Sequence, residues 1–297
     1  MRCACIDIGT NTTRVLVADA RDGVLTEVLV RRAFTRLGRD LAPGGLIPAD
    51  RIELAARVVA EQHALAAAAG AGEIRAVATA AIRRAGNRDA FVTALRERAG
   101  VEVRILDGSE EARLAFLGAT RTLGRTLPGR VAVVDVGGGS TEIAVGSVAR
   151  GVEWSTSLPL GSSVLADAYL HGDPPSPVEI AAVRAHARDV LRGVDPGPVD
   201  SAVAVGGSAA TLRRLVGPTL DADSLAHALG VLASGTAADV AFRFDLDVDR
   251  VRLMPAGLLA LDAAAAALGR PLEIGCGGLR EGVLLDISFT TSRRKLR

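Results

Sequence analysis

The chain opens on an apolar run, "CACIDIG", that ends in Asp7 and reads as a buried strand. "TTRVLVADA" follows as a second strand after a turn at residues 9–12, and the alternation in "DGVLTEVLVRRAFTRLG" suits a third. The front of the chain is therefore expected to be an antiparallel meander. "LAPGGLIPAD" breaks it, and Asp50 is placed to cap a helix over 51–69, with Glu53 as its capping-box partner and Gly70 as its stop. Then come a strand ("EIRAVAT"), a helix capped by Asn87, a strand ("VEVRIL") and a helix capped by Ser109. "LPGR" at 127–130 reads as a joint, after which the grammar restarts with "VAVVDVG", "TEIAVGSVA" and "GVEWSTSLPLG". Two α/β domains are expected, 1–126 and 127–297.

A repeat supports that division. "IDIGTNTTRVLVAD" and "VDVGGGSTEIAVGS" each consist of an apolar strand ending in Asp-x-Gly, a small polar turn and a second apolar strand, and Asp7 and Asp135 lie about one domain apart. The simplest architecture is two copies of one domain facing each other across a cleft.

Composition removes several function classes. Net charge is +1 from 35 basic and 34 acidic residues, so no global argument points to nucleic acid or a membrane. No apolar run is read as approaching the roughly 18 residues of a span, and the opening strand has no signal-peptide pattern, so a cytoplasmic protein is expected. Lys295 is the only lysine, which excludes a P-loop kinase and a Schiff-base enzyme. Cys3, Cys5 and Cys276 lack metal spacing, and His63, His171, His186 and His227 share no ligand pattern.

The candidate chemistry lies at strand ends. Gly137, Gly138 and Gly139 strip a turn of side chains, so backbone N–H groups can converge on an anion; Ser140 and Thr141 add hydroxyls. A plain hairpin is the alternative. The first loop offers Asn11, Thr12, Thr13 and Arg14, where Arg14 is either a ligand residue or a solvated strand residue. Asp7 and Asp135 end buried strands, where a carboxylate needs a donor or a cation; magnesium carried by phosphates is one candidate, and capping of their own turns is the other. Glu110 and Glu111 stand in the first turn of a helix, where a carboxylate stays ionised and serves either as a cap or as the group that orients an attacking water. Glu142 is a second acidic candidate. Gly206, Gly207 and Ser208 lead into a helix at another possible phosphate site, "EIGCGGLREG" reads as strand, loop and helix, and Arg83 and Arg84 follow a buried strand.

Seven ordered segments, "DIGTNTTRVLV", "VATAAIRRAGN", "VEVRILDGSEEARLAFLGA", "VDVGGGSTEIAVG", "SLPLGSSVLAD", "AVGGSAATLRR" and "GGLREGVLLD", together resemble the exopolyphosphatase and guanosine pentaphosphate phosphohydrolase family of the sugar kinase, Hsp70 and actin superfamily. The resemblance implies a two-domain actin-like ATPase fold (ribonuclease H-like α/β) with the site in the interdomain cleft, and magnesium-dependent hydrolysis of a terminal phosphoanhydride. It places Glu111 as the catalytic glutamate, Glu142 as the acidic residue after the glycine loop, and Asp135 as the metal-linked aspartate. Arg83, Asn11, Thr12 and Arg14 fall among its phosphate contacts, and a homodimer is implied. This chain departs from it at Thr10 and Thr12, where serines are usual. It also lacks the helical C-terminal region of longer members, which leaves any preference for very long polyphosphate unsupported.

Exopolyphosphatase activity is thus the leading expectation. Hydrolysis of guanosine pentaphosphate to the tetraphosphate is its nearest rival, with "GGLREG" as a guanine contact, although 3% aromatic residues leave little for base stacking. A sugar or acetate kinase lacks an identifiable acceptor pocket, and a non-catalytic sensor of polyphosphate or alarmone is the rival of another class.

Overall fold

The structure, a computed structural model, describes residues 1–295; Leu296, Arg297 and the side chains of residues 291–295 lie outside the described residues. The chain forms β1 (Arg2–Ile8), β2 (Thr12–Arg21), β3 (Val24–Phe34), α1 (Ala49–Ala68), β4 (Glu73–Ala78), α2 (Ala80–Arg84), α3 (Arg88–Ala99), β5 (Val103–Ile105) and α4 (Gly108–Thr122). It continues through β6 (Val131–Val136), β7 (Thr141–Ser147), β8 (Gly151–Leu158), α5 (Ser162–Tyr169), α6 (Pro177–Val190), β9 (Ser201–Val205) and α7 (Gly206–Val216). Last come β10 (Thr219–Leu220), α8 (Ala222–Ala233), α9 (Ala237–Phe244), α10 (Val248–Leu268), β11 (Leu272–Ile274) and α11 (Leu279–Lys295).

Two compact units result: Met1–Gly124 with the segment that starts at Gly277, and Arg125–Cys276. The expected second domain, 127–297, therefore gives up its last helix to the first. The cause is apolar matching, since Leu279, Val283, Leu284 and Ile287 of α11 pack with Leu114 of α4 and with Cys3, Cys5, Leu16 and Ala18 of the first sheet. Backbone contact tightens this pairing. A Cβ at Gly282 would overlap the carbonyl oxygen of Leu114, and one at Gly118 that of Gly278, so α4 and α11 meet through glycine on both sides.

In the first unit the sheet order is β3-β2-β1-β4-β5, with β1–β2 and β2–β3 antiparallel and β1–β4 and β4–β5 parallel. Period-two alternation buries β1 on both faces: Ala4, Ile6 and Ile8 join the core under α1 and α3, while Cys3 and Cys5 face α4 and α11. Asp7 has the parity of the cysteines, so it projects on the α4 and α11 side, at the strand's C-terminal end.

The second unit repeats the plan. Its sheet runs β10-β11-β9-β6-β7-β8, with β6–β7 and β7–β8 antiparallel and β6–β9 parallel. Val77, Asp7, Arg14 and Arg32 form a row across the first sheet, and Val205, Asp135, Glu142 and Ser157 form its counterpart. The turns match too, because Gly9 N–H donates to Thr12 O at 3.0 Å and Gly137 N–H to Ser140 O at 2.9 Å, at equal sequence offsets. At the position after the aspartate, one copy carries arginine and the other glutamate.

α10 corrects one expectation. This 21-residue helix contains an 18-residue window with a mean hydropathy of 1.5, long and apolar enough to cross a membrane, yet α5, α6, α7, α8 and α9 pack around it. Its apolarity is that of the second unit's central helix. Three caps also differ: α1 starts after Pro48 without a side-chain cap, Asn87 spends its amide on both backbone groups of Ile47, and Asp107 rather than Ser109 caps α4.

Candidate active site

The first unit gathers its candidate residues at the C-terminal end of β1 and the start of α4. Asp107 Oδ1 accepts the Glu110 N–H at 2.8 Å and the Ser109 hydroxyl at 2.6 Å, and the Ser109 bond leads in holding the Asp107 carboxyl below its usual range. That cap sets the first turn. Glu110 then turns outward to Arg113 (2.7 Å) and Arg104 (3.3 Å), whereas Glu111 is 7% exposed and pairs with Arg83 at 2.7 Å. Arg83 also donates to Leu106 O at 2.9 Å. The two adjacent glutamates thus differ in partners and in degree of burial: Glu110, half-buried, clasps Arg113 and Arg104, and Glu111 is an enclosed carboxylate beside Arg83.

Asp7 lies across from Arg14 on the same face of the sheet. Its Oδ1 is sealed from solvent and has no hydrogen-bond partner, and burial pushes its carboxyl pKa up against the opposing pull of Arg280 and Arg14. Arg14 Nε donates to Thr12 Oγ1 at 3.0 Å, and Asn11 O accepts the N–H groups of Thr35 and Arg36. The first loop is consequently fixed by backbone bonds, while Arg14 acts on Asp7 electrostatically.

In the second unit the glycine loop is clamped from one side. Gly137 O accepts the N–H of Ser162 at 2.9 Å and its hydroxyl at 3.1 Å, and Gly138 O accepts the N–H groups of Ser163 and Val164. The carbonyls of the loop are thereby turned toward the start of α5. Glu142, 2% exposed, accepts the Ser157 hydroxyl at 2.7 Å. Gly206, at φ +90°, begins α7 so close to Asp135 that a Cβ there would overlap Asp135 Oδ1. The N-terminus of α7 thus stands beside that carboxylate.

Two expected phosphate donors are corrected. Thr141 is fully buried and its hydroxyl donates to Leu160 O, so that proton is spent on holding β7. Ser208 is 2% exposed, and a Cβ on Gly257 of α10 would overlap its Oγ, so its hydroxyl packs against a helix. Gly207 O accepts the Thr211 hydroxyl within α7. Ser140 is also buried.

Sequence reasoning named the segment of Arg280 and Glu281 only as a guanine contact, and it did not single out Ser163. Arg280 and Glu281, in the first turn of α11, act electrostatically on Asp7, because that helix joins the first unit. Ser163 Oγ is buried without a hydrogen-bond partner beside the glycine loop; the pattern Gly-Ser-Ser before a helix was the available signal.

Magnesium suits this donor set in one respect. Among the described residues no three His, Cys, Asp or Glu side chains cluster as metal ligands, and magnesium characteristically takes one or two carboxylates, keeps waters and shares substrate phosphates. Asp7, with an orphaned buried oxygen, and Asp135 are the residues that could hold it.

Two units that share a five-strand order, the second with β10 added at its edge, each with an aspartate near the end of a central strand, define an actin-like α/β fold. The Ppx/GppA phosphatase family profile matches residues 16–290, and the chain belongs to that family. It is 32% identical over 303 residues to exopolyphosphatase 1 of Mycobacterium tuberculosis, covering 96% of this chain and 88% of the relative. The crystal structure of the Aquifex aeolicus member of the family has a TM-score of 0.82 at 30% identity, covering 98% of both chains. An exopolyphosphatase from Cytophaga hutchinsonii shares the fold with a TM-score of 0.83 at 18% identity, covering 96% of this chain and 98% of the other.

Proposed function

We propose that this phosphatase-family protein releases terminal orthophosphate from inorganic polyphosphate by water attack. The observation that carries the reading is Glu111, a buried carboxylate held by Arg83 in the unit that also holds the Asn11–Arg14 loop. Phosphoryl transfer asks little covalent chemistry of a protein, so positioning and electrostatics supply most of the rate. In this reading Glu111 orients the water and accepts its proton, and Arg83 keeps the carboxylate in place and adds positive charge. Asn11, Thr12 and Arg14 are the phosphate-binding residues of the first unit, and the backbone of Gly137 to Gly139 is the phosphate-binding loop of the second. Ser157 fixes Glu142, whose charge excludes phosphate from its own edge of the loop and suits a bound cation. Magnesium, when held by Asp135 or Asp7, would neutralise phosphate oxygens.

The relatives named exopolyphosphatase support this substrate over guanosine pentaphosphate. So does Arg280: the segment suspected of contacting guanine brings a charge to Asp7, which serves phosphate better than a base. The test is phosphate release, with magnesium, from polyphosphate and from guanosine pentaphosphate at matched concentrations of ends. Faster release from polyphosphate supports the reading, and preference for the pentaphosphate replaces it with alarmone turnover. Saturable binding without release replaces it with a sensor.

A further inference from the structure

Four arginines, at 31, 32, 36 and 39, stand in a stretch from Val28 to Arg39 that contains no acidic residue. Strand register divides them. The turn after Arg21 starts β2 and β3 with Arg21 opposite Val24, and continuing that register would set Arg14 opposite Arg31. A β-bulge between Val17 and Ala18 leaves Val28 without a partner and shifts the pairing by one residue, so Arg14 opposes Arg32 and Thr12 opposes Phe34. Cross-strand partners share a face. Arg32 and Phe34 therefore lie on the face of Thr12, Arg14 and Asp7, while Arg31 opposes Val15 on the other face, its Nη1 on Val30 O at 2.8 Å.

Phe34 organises two of these cations. The guanidinium carbon of Arg32 lies 4.9 Å from the ring centroid and that of Arg36 lies 5.8 Å from it, within cation–π range for both. Stacking on a ring restricts a guanidinium, and a guanidinium is a bidentate partner for oxyanions. Both side chains are exposed. The stretch is tied to the first loop, since Thr35 and Arg36 donate to Asn11 O at 3.1 and 2.9 Å and Gly38 donates to Thr10 O at 2.8 Å. The row Asp7, Arg14, Arg32 thus continues outward onto a rigid, doubly charged platform.

We propose that Arg32 and Arg36 on Phe34 form a distal phosphate subsite, which binds the part of a linear polyphosphate chain beyond the residues held at Asn11–Arg14. This rests on the reading of that loop as a phosphate site. A long inorganic chain has charge to place there, whereas a short one ends before it. The subsite raises affinity for long chains and leaves the chemical step unchanged.

The test measures binding and turnover of long-chain polyphosphate and inorganic tripolyphosphate, in wild type, in an Arg32→Ala/Arg36→Gly double variant and in Arg31→Ala. Arg36 has φ +46°, so glycine removes its side chain and also relieves a left-handed backbone, which guards against loss of folding. The double variant is expected to weaken long-chain binding by about 5- to 10-fold and to flatten its salt dependence. Tripolyphosphate KM and kcat on both substrates stay within about twofold of wild type, as do all values for Arg31→Ala. Unchanged long-chain affinity, an equal loss for both substrates, or the same loss from Arg31→Ala overturns the subsite. Wild type that binds long chains without hydrolysing them defeats the proposed function alone, because the binding comparison still decides the subsite.

Discussion

Replacing Glu111 by Gln asks more of the account than any other single change. The Glu111 and Arg83 side chains are 9% and 19% exposed and meet at 2.7 Å, so the pair is governed by the rules for buried ions rather than for surface ones. Glutamine keeps an oxygen that can accept from Arg83, and Arg83 keeps Leu106 O, so the expected loss of stability is about 1–3 kcal/mol. Alanine would strand the guanidinium and cost about 3–5 kcal/mol, which confounds any rate measurement. A general base contributes about 10²–10⁴-fold, equivalent to about 3–5 kcal/mol of transition-state stabilisation at 1.36 kcal/mol per decade. Glu111→Gln should lower kcat by that factor. KM should hold or fall, because a negative charge has been removed from beside a polyanion. Initial rates of phosphate release from tripolyphosphate, with urea unfolding on the same preparations, measure both quantities. A kcat within about threefold of wild type would refute the role of Glu111, and a raised KM with unchanged kcat would recast it as a binding residue.

Asp7→Asn should stabilise the protein by about 0.5–2 kcal/mol at neutral pH while lowering magnesium-dependent activity, as read by thermal unfolding and phosphate release. The sign follows from its raised carboxyl pKa: the folded state binds this proton more tightly than the unfolded state does, so Asp7 costs stability above the carboxylate range and stops costing it as pH falls through that range. The gain in Asp7→Asn should therefore shrink in acid. Gly282→Ala forces a Cβ onto Leu114 O and should cost about 1–3 kcal/mol by overpacking; because α4 carries Glu111, kcat should fall with it while KM moves little. Thr141→Val leaves Leu160 O unpaired and should cost about 1–3 kcal/mol in chemical unfolding with KM within twofold, whereas a several-fold rise in KM would restore Thr141 as a phosphate ligand.

Much of the site was legible because its parts are local. Asp7 with Asn11–Arg14, and Asp135 with Gly137–Glu142, are each a strand end and its turn, and the repeat between them survives as text. Glu111 and Arg83 were legible as candidates, although only partners and burial separate Glu111 from Glu110. Non-local features were hidden. The apolar face of α11 fits either sheet by composition, and its membership of the first unit depends on glycine contacts with α4, far away in the chain. The division of Arg31 from Arg32 depends on a bulge that no periodicity announces. Hydroxyl direction is equally invisible: Ser140, Thr141 and Ser208 read alike as donors, yet Thr141 bonds to Leu160 O and Ser208 faces Gly257.

Polyphosphate hydrolysed in water enriched in ¹⁸O and followed by phosphorus NMR tests the central claim most directly. Water attack on the terminal phosphorus predicts one ¹⁸O in each released orthophosphate and chains that shorten from their ends without label. Label left on the chain, cleavage at internal positions, or no release at all would contradict it.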